Sequence, residues 1–207
     1  KPEPHPITSE ARQNNVPIIG EGDLLRLSQV NSRFVGITGT NGKSTTTALV
    51  GHILKSCGVD SQVGGNIGLP MLDLPLAETY VLELSSYQLD LSDCLNLHVA
   101  AWLNISEDHL DRHGTLEQYI AAKKKIFQVE DVNQIAIISI DDKESESVWR
   151  ERSKHQTTVP VSIGRPLEGG IFVQEGWLME GSERILDVTL LPTLRGIHNH
   201  QNVSIAY

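Results

Sequence analysis

Five short apolar runs are spaced along the chain and predict buried strands of a mostly parallel sheet. They cover residues 34–37, 60–63, 79–84, 98–105 and 134–140. Apolar runs of this length, without strict polar alternation, are typical of strands covered on both faces. Helical patterns separate them, so the expected fold class is α/β, with a phosphate-loop-type, mostly parallel sheet flanked by helices.

The first helical pattern covers residues 46–57. Its apolar stripe comprises Val50, Ile53, Leu54 and Cys57, at the i, i+3, i+4, i+7 spacing of one helix face. This pattern places Cys57 in the core.

A second helix is predicted to begin at Thr115, with Gln118 as the partner residue of a capping box. Lys123 falls in the middle of its apolar stripe, which comprises Leu116, Tyr119, Ile120 and Phe127. A lysine there must snorkel to the surface, pair with a partner, or lose its hydration. Loss of hydration would lower its pKa and make a neutral amine available for covalent chemistry. Periodicity alone leaves snorkelling open as the alternative.

The two ends of the chain differ from the middle. Residues 1–32 carry four of the nine prolines, one short apolar run at 16–20, and a brief leucine-rich helix that Asp23 is expected to cap. We interpret them as the tail of a preceding domain plus a linker, and residues 33–207 as the main domain. From residue 159 onward, β-like runs at 159–163, 170–174, 177–179 and 185–191 predict a small antiparallel meander beside the main sheet.

A glycine-rich loop joins the first predicted strand to the first helix. It comprises Gly39, Thr40, Asn41, Gly42, Lys43, Ser44 and Thr45. Glycines let backbone N–H groups turn inward around an anion, and the helix N-terminus adds partial positive charge. Lys43 is expected to reach nucleotide phosphates and Ser44 to bind Mg²⁺. The common nucleotide loop has glycine where this chain has Ile37, so a plain turn that begins a helix is the alternative.

Polar groups follow the other predicted strands at the same edge of the sheet. Glu83 ends one strand and is expected to hold Mg²⁺ beside a nucleotide; the alternative is an exposed strand end. Residues 106–113 hold three carboxylates and two imidazoles, including His109, which suits a hard cation or a charged surface loop. Three glycines surround Asn66 and indicate a close approach of backbone or ligand, or a plain turn.

Two amide side chains lie near the end of the chain. Asn199 and Asn202 are three residues apart, so on a helix they share a face. Amides offer a donor and an acceptor together and can read an adenine edge. The alternative is Asn199 as a simple N-cap.

Composition narrows the classes of partner. The 207-residue chain has a net charge of −9, which argues against a nucleic-acid-binding face. No apolar run approaches the ~20 residues of a membrane span. Two isolated cysteines, without metal-site spacing, indicate a reducing compartment and hence the cytoplasm.

Five segments together resemble the central domain of the Mur ligases: GTNGKST, GGNIGLP, LELSSYQL, NISEDHLDRHGTLEQYIAAK and GIHNHQN. The folylpolyglutamate synthases share the phosphate loop, but LELSSYQL and GGNIGLP are more similar to Mur ligases that add D-glutamate. The resemblance implies an ATP-dependent amide ligase that acts on UDP-N-acetylmuramoyl-L-alanine and D-glutamate through an acyl phosphate. The protein is expected to be a monomer. A folylpolyglutamate synthase-like ligase or a non-catalytic ATP-binding fragment are the alternatives.

The resemblance also assigns roles by matching position. Residues 39–45 would hold the ATP phosphates, and Asn199 and Asn202 would contact adenine. Ser44 and Glu83 match the ligands of one Mg²⁺, and His109 and Lys123, the lysine carbamylated, match those of a second. The matching residues near the muramoyl substrate are Asn66, Ser85 and His109. Lys43, His109 and Lys123 are therefore the expected catalytic residues.

The family has three domains, and this sequence matches the central one. Of the first domain only a tail is expected, and the residues that would bind D-glutamate belong to the third. The sequence is accordingly interpreted as a nucleotide-binding core that does not complete the ligation alone.

Overall fold

The computed structural model describes residues 6–92, 95–127 and 133–207, and Cys94 lies outside them. The helices are α1 (Pro6–Gln13), α2 (Glu21–Ser28), α3 (Lys43–Ser56), α4 (Ser86–Asp90), α5 (Leu110–His113), α6 (Leu116–Lys124), α7 (Lys143–Arg152) and α8 (Ile197–Ala206). The strands are β1 (Arg33–Thr38), β2 (Ser61–Gly65), β3 (Thr79–Glu83), β4 (Val99–Trp102), β5 (Ile135–Ser139), β6 (Thr158–Ser162), β7 (Ile171–Gln174), β8 (Trp177–Glu180) and β9 (Glu183–Asp187). Within these ranges, no helix combines the length and hydrophobicity needed to cross a membrane.

In the described part of the chain, the strands form one sheet in the order β2-β3-β1-β4-β5-β6-β7-β8-β9. Every pair from β2 to β7 is parallel, and only β8 and β9 join antiparallel. The α/β fold class is therefore confirmed. The expectation that 159–163 belongs to an antiparallel meander is wrong, because α7 carries the chain back across the sheet and β6 pairs parallel with β5.

Apolar side chains pack on both faces of this sheet. Phe34 and Tyr80 lie opposite each other on β1 and β3, and their rings stack with centroids 5.2 Å apart. The other face includes Ile37, Val81 and, from α8, Val203. The sheet is thus covered by helices on both sides, which leaves its edges as the places where polar groups can gather.

Helix α3 buries its predicted apolar stripe only in part, since Val50 and Leu54 are partly buried against the core. Its buried residues are small, namely Thr46, Thr47 and Gly51. Ile53 is 37% exposed and Cys57 is exposed, so the prediction of a core Cys57 is wrong. A Cβ on Gly51 would lie 2.2 Å from Cγ2 of Val63 on β2. This close approach selects small residues at the interface and turns the more apolar stripe partly outward.

The N-terminal segment also departs from prediction. Residues 16–20 form no strand. Helix α2 begins after Gly20, whose N–H donates to the carboxylate of Asp23 at 2.9 Å, so Asp23 lies inside the helix rather than capping it from outside. Leu25 of α2 is buried in the same core cluster as Phe34. The domain boundary near residue 32 stays a prediction.

Candidate active site

The phosphate loop, residues 39–45, joins β1 to α3 at the carboxyl edge of the sheet, where the carboxyl ends of the parallel strands meet. β1 lies between β3 and β4, so the strand order reverses here, as it does at ligand sites of open α/β sheets. Gly42 has φ +84°, and a Cβ there would lie 2.2 Å from Oδ1 of Asn202. This position needs glycine for both conformation and space.

Backbone N–H groups of the loop divide into two sets. Those of Thr40 and Asn41 are already engaged by Asn104, at 2.9 Å to its carbonyl oxygen and 2.8 Å to Oδ1. Those of residues 42–45 have no hydrogen-bond acceptor in the described part of the chain. Four free N–H groups at a helix N-terminus form an anion-binding cradle.

Two lysines converge on the same loop carbonyl. The ammonium of Lys43 donates to the carbonyl oxygens of Gly39 and Thr40, at 3.1 and 2.8 Å. That of Lys123 donates to Gly39 at 2.8 Å and to Oγ1 of Thr38 at 3.2 Å. Lys123 is 1% exposed, so it does not snorkel to the surface. Burial, and next the charge of Lys43, lower the pKa of Lys123 to about 7.

Lys43 experiences the same kind of environment. Burial lowers its pKa, and the negative charges of Glu83 and Asp108 act in the opposite direction. The loop therefore holds two cationic groups close together in a partly dry site. An anion bound in the cradle would relieve their repulsion.

Glu83 supplies an unpaired anionic oxygen. The side chain is 1% exposed, so the alternative of an exposed strand end is wrong. Its Oε1 accepts from Nδ2 of Asn66 at 2.8 Å, whereas its buried Oε2 has no partner. A Cβ on Gly65 would lie 2.4 Å from the Glu83 carbonyl oxygen, and this tight contact carries Asn66 over the carboxylate.

A buried carboxylate oxygen without a partner is costly unless a cation or donor satisfies it. In the described ranges, no three His, Cys, Asp or Glu side chains are arranged to hold a metal ion. A cation beside Glu83 would need most of its ligands from elsewhere. Mg²⁺ fits this donor set, because it is commonly bound through one or two carboxylates together with phosphates and waters.

A cavity of about 200 Å³ lies between these groups. It is lined by Lys43, Asn66, Ser85, Ser86, Tyr87, His109, Tyr119 and Lys123. Five of the residues singled out from the sequence thus share one cavity. They come from the phosphate loop, the turn after β2, the N-caps of α4 and α5, and α6. The hydroxyl of Ser85 is part of a capping box with Gln88, at 2.9 Å from Oε1.

His109 is held at the cavity by its neighbour. His109 adopts the left-handed conformation with φ +52°, and its backbone N–H donates to Oδ1 of Asp108 at 2.9 Å. Its Nε2 lies 3.5 Å from Oδ2 of the same carboxylate. The ring packs against Tyr87, with centroids 5.1 Å apart. His109 is therefore part of the cavity wall, whereas Glu107, Asp111 and Arg112 of the same segment are exposed to solvent.

The other predicted residues do not line this cavity, including Glu83, Ser44 and the two asparagines of α8. Ser44 is exposed in the first turn of α3. Asn202 accepts from Oγ1 of Thr46 at 3.3 Å and donates to Oδ1 of Asn199 at 3.0 Å. Gly196, not Asn199, is the N-cap of α8. Asn202 therefore contacts α3 near its N-terminus, and Asn199 is bonded to Asn202.

Sequence reasoning missed three residues that shape the site. Thr38 holds Lys123, Asn104 holds the loop, and the Tyr119 hydroxyl lies 3.3 Å from Oγ1 of Thr40. The Tyr119 ring also lies under the Lys123 ammonium, 4.9 Å from its centroid. Thr38 ends β1 and Asn104 comes two residues after β4, so each is a polar residue at the end of an apolar run, which is the one signal that could have found them.

Residues 37–207 match the Mur ligase middle domain. The chain belongs to the Mur ligase family. Its relation to known members is close: the UDP-N-acetylmuramoylalanine–D-glutamate ligase of Rhodospirillum rubrum is 44% identical over all of this chain. That of Rickettsia prowazekii is 41% identical over 98% of it. The match covers 45% and 46% of those proteins, so this Mur ligase chain spans about half the length of its curated relatives.

Solved structures share the fold at lower identity. A ligase from Neisseria meningitides that joins UDP-N-acetylmuramate to a tripeptide superposes with a TM-score of 0.70 at 12% identity, over 100% of this chain and 69% of its own. MurF from Thermotoga maritima, crystallised with ADP, gives 0.65 at 21% identity, over 90% of this chain and 47% of its own. These structures place the sheet and its flanking helices among Mur ligase folds.

Proposed function

We propose that this chain is the nucleotide-binding core of an ATP-dependent ligase that adds D-glutamate to UDP-N-acetylmuramoyl-L-alanine. Relatives at 40–44% identity bear the name of that enzyme. The observation that carries the proposal is the buried Glu83 carboxylate, with an unpaired oxygen, near Lys43 of the phosphate loop and Lys123 of α6. A triphosphate with its cation is the ligand that would satisfy all three.

The first part of the proposal concerns ATP. The free N–H groups of residues 42–45 receive phosphate oxygens, and Lys43 exchanges the carbonyls of Gly39 and Thr40 for the β- and γ-phosphates. Asn202, which bonds to Thr46 of α3, and its partner Asn199 are the proposed contacts to the base.

The second part concerns the cations. Bound Mg²⁺ would neutralise the phosphate oxygens and the acceptor carboxylate. Ser44 and Glu83 are the proposed ligands of one ion, and His109 and Lys123 those of another. The Lys123 amine, with a pKa of about 7, can add to CO₂ and lose a proton, which yields an anionic carbamate. That product suits an oxygen-preferring metal, whereas an ammonium does not.

The third part is the reaction. The terminal carboxylate of the muramoyl substrate attacks the γ-phosphorus of ATP, the bond to ADP breaks, and an acyl phosphate results. The amine of D-glutamate then attacks the acyl carbon, phosphate leaves, and a proton is released. Asn66, Ser85 and His109 line the cavity and orient the carboxylate, while the two lysines hold positive charge near the transferred group.

The test uses the protein at its native length with ATP, Mg²⁺, UDP-N-acetylmuramoyl-L-alanine and D-glutamate. Mass spectrometry should show a product heavier by one glutamyl residue, with one phosphate released per product. Reactions without D-glutamate, or with L-glutamate, are the controls. Product from a folate and L-glutamate alone would instead identify a folylpolyglutamate synthase, and nucleotide binding without any ligation would favour a non-catalytic module.

The same proposal covers location and assembly. Its substrates are small soluble metabolites, so we place the reaction in the cytoplasm and expect a monomer to carry it out. Light scattering on the purified protein, with and without ATP, checks the assembly. A stable dimer would contradict this part alone.

A further inference from the structure

A continuous line of hydrogen bonds runs from the phosphate loop to α8 and on to the end of β5. Asn104 Nδ2 donates to the carbonyl oxygen of Asn41 at 3.1 Å and to Oε1 of Gln201 at 2.8 Å. Gln201 Nε2 in turn donates to Oγ of Ser139 at 2.8 Å. The Ser139 hydroxyl lies 3.4 Å from Oδ2 of Asp141, so the line ends on a carboxylate.

The geometry makes Gln201 the central member of this line. It is 8% exposed and Ser139 is fully buried, so water does not compete freely for their bonds. The two ends of the Gln201 amide point in opposite directions along the line, one to Asn104 and one to Ser139. With Nδ2 of Asn104 fixed by Gln201, Oδ1 is aimed at the N–H of Asn41, 2.8 Å away.

Gln201 also lies next to Asn202, on the helix that carries both asparagines proposed for adenine. The same helix turn therefore reaches the loop through Asn104 and also reaches α3, where Asn202 accepts from Thr46. The Gln201 hydrogen bonds are not needed to pack α8 against the sheet, because Val203 and Ile205 already bury the apolar face of that helix.

We propose that Gln201 is a positioning residue that acts through Asn104 to hold the phosphate loop, and that it couples α8 to the phosphate site. The proposal rests on the proposed function for its nucleotide, and on the hydrogen bonds alone for its mechanical part. Loss of the Gln201 amide leaves the Asn104 side chain held by the Asn41 backbone alone, which loosens its bond to the N–H of Asn41. The four free N–H groups next to it then lose their fixed direction.

The test compares wild type with Gln201→Met, which keeps the volume and removes both hydrogen bonds. We expect ADP·Mg²⁺, measured by calorimetry on the protein at its native length, to bind about tenfold more weakly, the effect of one to two net hydrogen bonds. Hydrogen exchange at the Asn41 amide should become about tenfold faster without nucleotide. Unchanged exchange at Asn41 overturns the proposal.

Gln134→Met is the matched control. Gln134 is also a buried glutamine with its amide bonded on both sides, but it lies at the opposite edge of the sheet. The Gln134→Met variant should be less stable than wild type but should bind ADP with the same affinity and show the same hydrogen exchange at the Asn41 amide. If it weakens ADP as much as Gln201→Met does, the effect of Gln201 is general destabilisation and the positioning role is wrong.

A double-mutant cycle with Asn104→Ala tests whether Gln201 acts on the phosphate loop through Asn104. If Gln201 acts through Asn104, the double variant binds ADP no more than about twofold more weakly than Asn104→Ala alone. Independent, multiplying losses would overturn the route. A wild type that binds no ADP overturns the proposed function instead, and the exchange at Asn41 still decides whether the bridge holds the loop.

Discussion

Two buried polar side chains at opposite edges of the sheet differ in whether all their polar atoms have hydrogen-bond partners. Gln134, before β5 at the amino edge, donates to the carbonyls of Leu97 and Ile126 at 3.1 and 3.2 Å and accepts from Gln156 at 3.3 Å. Glu83, at the carboxyl edge, is equally buried but leaves Oε2 without a partner. The protein completes the hydrogen bonds of the first and leaves the second incomplete. Local rules broken in this way are expected where a ligand completes them.

The strongest test of this contrast removes the loop ammonium. Lys43→Ala should lower ligase kcat/KM by about 10³-fold, because a preorganised cation aimed at the phosphates is lost. ADP binding should fall with it, measured by calorimetry. Lys55→Ala, an exposed lysine at the other end of α3, is the control and should behave as wild type. Wild-type activity in Lys43→Ala would remove the loop from the mechanism.

The next test concerns the buried lysine. Lys123→Ala should lose activity by about 100-fold, the loss typical of one electrostatic group. Short carboxylates such as formate or acetate should restore part of it, because they can enter the vacated space and replace the carbamate oxygens. Its neighbour Lys124, which pairs with Glu151 near the surface, gives the control variant Lys124→Ala. Activity that survives in Lys123→Ala would refute the carbamate.

The sequence predicted much of this edge, for identifiable reasons. The inward position of Lys123 followed from the 3.6-residue period of α6, and Thr115 does cap that helix, accepting from Gln118 N at 3.3 Å. Glu83 was found because a carboxylate ending an apolar strand is conspicuous. Such signals are local, and helix and strand periodicity carries them.

What the sequence did not predict depends on distant partners. Asn104 and Gln201 are 97 residues apart, so no local pattern joins them. Cys57 was placed wrongly because the packing of Gly51 against β2, rather than hydrophobicity, sets the orientation of α3. Glycine turns after residue 163 resemble hairpin turns, and only tertiary pairing decides that β6 is parallel.

The pH dependence of the free energy of unfolding tests whether Lys123, at the carboxyl edge, is desolvated. The folded-state pKa of Lys123 is lowered from 10.5 to about 7, so the unfolded chain takes up the proton first as pH falls. Wild type should therefore lose stability relative to Lys123→Met between pH 10.5 and 7, and the difference should level off below. Urea unfolding in CO₂-free buffer should show a change on the order of 2 kcal/mol between pH 9 and pH 7.5. Parallel pH profiles would mean that the amine is not desolvated.

The prediction with the smallest expected effect compares one variant at each edge of the sheet, Gln134→Met and Glu83→Gln. Gln134→Met should lower the free energy of unfolding by about 1–3 kcal/mol, because it leaves two buried carbonyls without their donor, and should not change catalysis. Glu83→Gln should do the reverse: it replaces an unpaired buried carboxylate by a neutral amide, so stability is kept or raised while Mg²⁺-dependent activity falls. Urea midpoints and Mg²⁺ titrations of both variants measure the two effects. If Glu83→Gln destabilises as much as Gln134→Met, then Glu83 is a structural group like its counterpart, and the carboxyl edge holds no incomplete site.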